Sequence, residues 1–191
     1  MRCFAAILLA EDVRLALVDE IERLRPLSQA VAWVPADNLH LTLHFFGEED
    51  PERVAEAGAA LTEAAASVPR FTVEVRGLGA FPGLDRPRIL WTGVAGGAPE
   101  ARDLHGRVEG ALERRGFARE ARPWHPHVTV GRVFDERRWR QDAGAGLRPA
   151  LAGIAGHAFG AFPVTSIALM QSQLGRGGAR YRVVAESPLA D

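Results

Sequence analysis

Apolar and polar residues follow one another along this chain in short blocks that predict strands and helices. Residues 3–9 form an apolar run of strand length, and residues 11–25 carry apolar side chains close to helical spacing. Gly and Pro residues separate most later blocks, which favours antiparallel connections over parallel crossovers. The pattern predicts strands at 3–9, 31–34, 39–46, 70–76, 88–94, 127–133, 157–162, 165–173 and 180–186. It predicts helices at 11–25, 51–67, 99–115 and 136–142, the last followed by a loop to residue 151.

Two of the predicted strands carry the same short motif of a His, an apolar residue, a Thr and a second apolar residue. The first copy is His40-Leu41-Thr42-Leu43 and the second is His127-Val128-Thr129-Val130. Since side chains alternate between the faces of a strand, each His shares a face with its Thr. Each half of the chain also has a helix leading to its motif strand. We therefore expect an α+β fold, with one domain over residues 1–191 made of two interleaved, pseudo-symmetric lobes.

Two imidazoles and two hydroxyls around one cleft suit acid–base chemistry on a phosphate. The pKa of an ordinary His is about 6.5, so one imidazole can take a proton from water while the other donates a proton to a leaving alkoxide. The Thr hydroxyls can donate hydrogen bonds to phosphoryl oxygens as charge develops. The scheme requires no metal and no cofactor. Either motif alone has an ordinary explanation, because a single His on a strand is usually structural or solvated.

Composition narrows the possible functions further. The chain is 47% hydrophobic and 25% charged with a net charge of -1, so it can bury a sizeable core, and nothing global points to nucleic acid or membranes. The single Cys3 excludes an internal disulfide, and the short apolar start reads as a buried strand rather than a signal peptide, so we expect a cytoplasmic protein. All 23 basic residues are Arg. Without Lys there is no lysyl–nucleotide adduct and no Walker A loop, which disfavours ATP-dependent ligation.

The two motifs with their flanking residues resemble the 2H phosphoesterase superfamily. The resemblance is to its bacterial and archaeal RNA 2′,3′-cyclic phosphodiesterases, also called 2′-5′ RNA ligases. It lies in residues 2–7, 38–47, 126–132, 171–174 and 178–181. It implies a bilobal α+β fold in which antiparallel sheet and helices surround a central groove. It also implies metal-independent opening of a 2′,3′-cyclic phosphate at an RNA end to a 2′-phosphate, with weak reverse 2′-5′ ligation.

The resemblance also implies a function for each motif residue. His40 would be the proton donor for the leaving 3′ oxygen, and His127 the proton acceptor for water. Thr42 and Thr129 would hold the phosphate. The family pattern also gives Arg132 a phosphate contact, although strict alternation turns this side chain away from the Thr129 face unless the strand twists or bulges.

Alternation along the first motif strand also puts Phe46 and His44 on the His40 face. Phe46 could stack on a base there, with core packing as the alternative. His125 precedes the second motif, and four His near one cleft raise the question of zinc. We expect no metal, because no carboxylate or Cys stands at matching spacing. His105 is expected to lie solvated on a helix.

Other substrates and a non-enzymatic function stay open. An enzyme of the same fold could act on a small cyclic phosphate such as ADP-ribose 1″,2″-cyclic phosphate, and a binding module could hold RNA without turnover. Two intact motifs favour an enzyme, since binding alone does not need a second imidazole. We expect the partner to be RNA with a 2′,3′-cyclic phosphate end, such as a tRNA fragment, or a nucleotide. We expect no membrane association, and we expect a monomer.

Overall fold

The computed structural model describes residues 1–142, 146–175 and 178–191, and its elements follow the predicted blocks. The strands are β1 (Arg2–Leu8), β2 (Val31–Trp33), β3 (His40–Glu48), β4 (Phe71–Phe81), β5 (Ile89–Val94), β6 (His127–Val133), β7 (Ala158–Val164), β8 (Ser166–Gly175) and β9 (Gly178–Pro188). The helices are α1 (Glu11–Leu24), α2 (Pro51–Ala65), α3 (Ala98–Glu113), α4 (Glu136–Asp142) and α5 (Leu147–Gly153). Each motif therefore begins a strand, as the alternation predicts.

Helix α5 lies where a loop was expected, so that expectation is wrong from Leu147 onward, while residues 143–145 of the expected loop lie outside the described residues. Leu147 and Leu151 are one helical turn apart and both are buried, so packing against the core fixes this short helix. Pro149 weakened the helical signal in the sequence. It lies in the first turn, however, where the missing backbone N–H costs no helical hydrogen bond.

The strands form one curled antiparallel sheet with two pseudo-symmetric halves. Its order is β7-β4-β5-β6-β3-β1-β8-β9, with β2 also paired to β6. Along this order four strands lie on each side of the contact between β6 and β3, with β2 as an additional strand on the β6 side, so each motif strand is the innermost strand of its set. The C-terminal hairpin of β8 and β9 completes the half that begins with β1. This arrangement confirms the predicted bilobal α+β fold.

The helices pack on one face of the sheet and leave the other face to the groove. The apolar motif residues point toward the helices, since Leu41, Leu43, Val128 and Val130 are all buried in the main core. Truncating a buried Leu to Ala typically reduces the free energy of unfolding by about 2–5 kcal/mol. A one-residue slip would expose these side chains, so their burial stabilises the observed register of the motif strands. Within the described ranges, no helix is long and apolar enough to cross a membrane.

Candidate active site

The two motif strands meet at a single residue pair. Leu41 of β3 pairs with Val128 of β6 in antiparallel orientation. One step along each strand therefore sets His40 toward Thr129 and Thr42 toward His127, on the face opposite the two apolar side chains. The structure thus brings together the four residues that the motifs predicted, and all four are partly exposed at the groove.

The two His side chains are held in the same way. The Nδ1 atom of His40 lies 2.8 Å from the carbonyl oxygen of Asn38, and that of His127 lies 2.7 Å from the carbonyl oxygen of His125. In each case Nδ1–H donates to a backbone carbonyl two residues earlier. The neutral ring then has its lone pair on Nε2, which is free to exchange a proton with a substrate.

The His40 ring is further fixed by the other end of the sheet. Its centroid lies 4.7 Å from that of Phe4 on β1 and 5.3 Å from that of Tyr181 on β9. The Asn38 side chain donates a hydrogen bond of 2.7 Å to the carbonyl oxygen of Ala179, also on β9. The C-terminal hairpin therefore helps to orient an imidazole that the N-terminal half supplies.

Burial lowers the pKa of both His40 and His127 below the ordinary value of 6.5. The positive charge of Arg132 lowers both pKa values further, and the two backbone hydrogen bonds partly oppose the shift. Both rings are therefore mainly neutral at neutral pH in the free protein. A bound phosphate would favour the protonated form of either ring, because its negative charge stabilises an imidazolium.

A β-bulge in β6 explains how Arg132 reaches the site. Leu90 of β5 pairs with Gly131, but the next residue, Trp91, pairs with Thr129, so β6 contains one extra residue between these pairs. The bulge shifts the alternation by one position and returns Arg132 to the Thr129 face, as the exposure pattern along β6 also indicates. The sequence prediction for this side chain depended on such an irregularity.

The first motif strand has the same irregularity, and here it overturns two expectations. Ala5 of β1 pairs with His44, whereas Ala6 pairs with Thr42, so β3 also has an extra residue after its Thr. His44 is consequently only 4% exposed and points into the core. The expectation that alternation puts His44 on the His40 face is therefore wrong.

Phe46 also leaves the His40 face. Its ring packs 4.8 Å from His44 and 5.4 Å from Phe117, measured between centroids, among core side chains. The groove position belongs instead to Phe45, which is 57% exposed and pairs with Phe4 in the sheet. The predicted location of Phe46 is wrong, and its alternative, core packing, is what the structure shows.

His44 belongs to a buried polar cluster on the helix side of the sheet. Its Nδ1 atom lies 2.5 Å from Oε1 of Glu109 on α3, and both side chains are nearly fully buried. The second Glu109 oxygen accepts a hydrogen bond of 3.1 Å from the backbone N–H of Glu120. With His44 in this cluster, the four His near the motifs do not converge, and the described residues contain no group of metal-ligating side chains that could hold a metal ion.

Trp124 connects this cluster to the motif. Its indole N–H donates to the carbonyl oxygen of Thr42 at 3.1 Å, and its ring stacks on His105 with centroids 4.4 Å apart. His105 is therefore largely covered rather than solvated as expected, and burial lowers its pKa. A Glu on the apolar face of α3, one turn after His105, was a detectable sign of this cluster in the sequence.

Each half of the sheet brings one His and one Thr to the contact between β3 and β6, which is called the seam below. This arrangement defines a two-histidine phosphoesterase. The chain belongs to the 2′-5′ RNA ligase superfamily, whose sequence profile matches residues 13–176.

Individual relatives agree with this assignment over most of their length. The RNA 2′,3′-cyclic phosphodiesterase of Aeropyrum pernix is 40% identical over 153 residues, which is 80% of this chain and 83% of the relative. The crystal structure of TT0787 of Thermus thermophilus superimposes with a TM-score of 0.80 at 28% identity, over 99% of this chain and 98% of that one. Escherichia coli LigT complexed with 3′-AMP gives a TM-score of 0.79 at 27% identity, over 100% and 98% of the two chains.

Proposed function

We propose that this protein hydrolyses RNA 2′,3′-cyclic phosphate ends to 2′-phosphates. The observation that carries the proposal is the matched pair of His40 and His127, each with Nδ1 bound to a backbone carbonyl and Nε2 left for proton transfer. The Aeropyrum pernix relative, 40% identical over 153 aligned residues, is named an RNA 2′,3′-cyclic phosphodiesterase, which supports the same kind of reaction here.

In the proposed reaction the two imidazoles act in opposite directions. His127 Nε2 takes a proton from water, and the water oxygen forms a bond to phosphorus. The bond from phosphorus to the 3′ oxygen breaks, and His40 Nε2–H protonates that oxygen. The 2′-phosphate stays on the RNA. Positioned proton transfers of this kind contribute on the order of 10²–10⁴ each to the rate.

Thr42, Thr129 and Arg132 would hold the phosphate. The two hydroxyls share the face of the two imidazoles and can donate to the non-bridging oxygens, whose charge grows in the transition state. The guanidinium of Arg132 adds a fixed positive charge that can bind the phosphate. Its lowering of the pKa of both His40 and His127 supports a position close to both rings. No step needs a metal or an ATP-derived intermediate. When an RNA 5′-hydroxyl attacks phosphorus in place of water, the same two proton transfers would join RNA ends through a 2′-5′ bond, and opening of the cyclic phosphate supplies the driving force.

We further propose that the chain acts as a monomer and as one domain. Each lobe supplies one His and one Thr, and the interleaved C-terminal hairpin contacts His40 through Tyr181. Neither half would therefore have a complete site on its own.

A small cyclic nucleotide is the second candidate substrate, because the same four side chains would open it equally well.

The test uses a short RNA ending in a 2′,3′-cyclic phosphate, incubated with purified protein in excess EDTA. We expect a 2′-phosphate product from the wild-type protein and a loss of at least roughly 100-fold in His40→Ala and His127→Ala. His157→Ala is the matched control, since His157 is exposed on the approach to β7, and it should keep full activity. Full activity in either motif variant would contradict the assigned functions. Turnover of a cyclic mononucleotide but not of RNA would favour the second candidate, and binding without turnover would favour a non-catalytic module.

A further inference from the structure

A cleft of about 260 Å³ opens directly beside His127. It is lined by Phe81, Trp91, Gly93, Val94, Arg102, His125, Pro126 and His127. Pockets for drug-sized ligands usually measure roughly 300–1,000 Å³, so this cleft suits something as small as a nucleobase with its ribose. His127 is the one residue assigned to the proposed hydrolysis that lines it, and the phosphate-holding side chains at the contact between β3 and β6 do not.

The main wall of the cleft is a flat indole laid across the sheet. The ring of Trp91 covers Gly79 and Gly93, where a Cβ atom would approach it to 2.6 Å and 3.2 Å respectively. Any larger residue at Gly79 would displace the ring, so the two glycines leave the space that the indole occupies. Phe81 stacks on Trp91 with centroids 4.9 Å apart and an interplanar angle of 26°.

This aromatic wall continues into the catalytic imidazole. Phe81 meets the His127 ring edge-on, with centroids 5.4 Å apart. The buried indole N–H of Trp91 has no acceptor among the described residues, although a buried Trp usually finds one. Hydrogen bonding therefore does not explain why an indole is placed here, whereas stacking on a planar ligand next to His127 does.

A positive charge completes the cleft. Arg102 projects from α3 into it and forms no ion pair within the part of the chain that the structure describes. An Arg that is free of carboxylates can bind the next phosphate of an RNA strand or the polar edge of a base. On the opposite side of the seam, Phe4 and Tyr181 flank His40, so each His has its own aromatic surface.

We propose that the cleft of Trp91, Phe81 and Arg102 binds the nucleoside at the 5′-hydroxyl end of a second RNA strand. The inference rests on the proposed function, in which His127 activates the nucleophile, so an attacking 5′-hydroxyl must occupy the position of water. His127 takes the 5′-hydroxyl proton and the 5′ oxygen bonds to phosphorus. The bond to the 3′ oxygen breaks and His40 protonates that oxygen. The product is a 2′-5′ phosphodiester with a free 3′-hydroxyl, and no other reactant is consumed.

The experiment measures the ratio of two products from one cyclic-phosphate RNA, the product of hydrolysis by water and the product of joining to an acceptor RNA. The RNA is incubated with an excess of an unphosphorylated dinucleotide, and the 2′-5′-joined product is compared with the 2′-phosphate. Trp91→Phe shrinks the stacking surface while keeping an aromatic ring, and Arg102→Gln removes the charge. We expect the ratio of joining to hydrolysis to fall about fivefold or more in the first variant and about threefold in the second. Arg107→Gln, on the same helix but paired with Asp103, is the matched control and should keep the wild-type ratio.

Each alternative outcome has a distinct meaning. An unchanged ratio in both variants overturns the inference, as does wild-type hydrolysis without any joining, and both leave the proposed function intact. A rise in the KM for hydrolysis equal to the loss of joining would also overturn it, because the cleft would then hold the base of the cyclic nucleotide itself. No hydrolysis by the wild-type protein would end both proposals together.

Discussion

Leu41 pairs with Val128 across the seam between the two halves of the sheet, and this pair sets the geometry of the site. Both side chains are buried on the helix side, at 1% and 0% exposure. The residues on either side of the pair must therefore face the groove, which gives one His and one Thr from each strand. Two symmetric halves thus build one site that neither contains alone.

The first prediction concerns the pH dependence of kcat/KM. Burial lowers the pKa of His40 and His127 from 6.5 in the free protein. A lowered pKa means that the proton needed by the general acid is lost at a lower pH, so the rate must fall as pH rises through neutrality. We expect a bell-shaped profile of kcat/KM with its maximum below about pH 6.5. An optimum above about pH 7 in steady-state assays of the cyclic-phosphate RNA would contradict this.

Arg132 gives the second prediction, because its charge acts on both imidazoles. Replacing it with Gln removes a positive neighbour, so the pKa values of His40 and His127 should rise and the pH profile should move to higher pH. Losing a charged phosphate contact should also lower kcat/KM by roughly 10- to 100-fold. Arg70→Gln, at a surface ion pair with Asp191, is the control and should change neither quantity. A profile that stays in place would show that this guanidinium lies too far from the rings to matter.

The third prediction separates two neighbouring aromatic residues. Phe45 is exposed at the groove and Phe46 is packed in the core, so Phe46→Ala should reduce the free energy of unfolding by roughly 3 kcal/mol. Phe45→Ala should change stability by less than about 1 kcal/mol but raise the KM for RNA, since stacking on a base contributes about 1–3 kcal/mol. Urea denaturation and steady-state kinetics on both variants measure the free energy of unfolding and the KM, and so show which residue packs in the core and which contacts RNA. The reverse pattern would restore the strict alternation along β3.

Strict alternation was enough to predict the motif face, and in each strand it first fails just after the Thr. From His40 to Thr42, and from His127 to Thr129, the period of two holds, so the four central residues could be read from the sequence. The bulge that follows each Thr depends on how β1 or β5 pairs with the motif strand. Pairing between strands distant in sequence leaves no periodic signal in either one, so the sequence could not decide between Phe45 and Phe46.

The burial of Glu109 on α3 could be inferred from the sequence, but its partners in the polar cluster could not, for a related reason. His44 and Glu109 are 65 positions apart, and Trp124 meets Thr42 across 82 positions. Nothing local in the chain couples these residues, because the fold alone brings α3 and the segment before β6 against β3. The hydrogen bond from Trp124 nevertheless fixes the backbone of Thr42, so this cluster helps to position a residue of the site.

The fourth prediction tests that support through Trp124. Trp124→Phe keeps a ring against His105 but removes the hydrogen bond to the carbonyl oxygen of Thr42, which contributes about 1 kcal/mol. We expect kcat to fall about three- to tenfold with little change in KM, because the Thr hydroxyl is misplaced mainly in the transition state. Trp139→Phe is a close control, since its indole N–H also donates to a backbone carbonyl, that of Leu84, but away from the motifs. Equal losses of kcat in the two variants would mean a general effect on folding.

The last prediction concerns the buried carboxylate of Glu109. Its two oxygens accept hydrogen bonds from His44 and from the backbone of Glu120, so Glu109→Ala strands two buried donors in the core. Removing one partner of a buried pair typically costs about 3–5 kcal/mol, and we expect a loss of that size in urea unfolding at neutral pH. Glu109→Gln keeps the shape and one acceptor, so its loss should be smaller. Glu113→Ala, one turn later and exposed on the same helix, should stay within about 0.5 kcal/mol of the wild type. If Glu109→Ala unfolds no more easily than that control, the pair with His44 contributes nothing to the stability of the site.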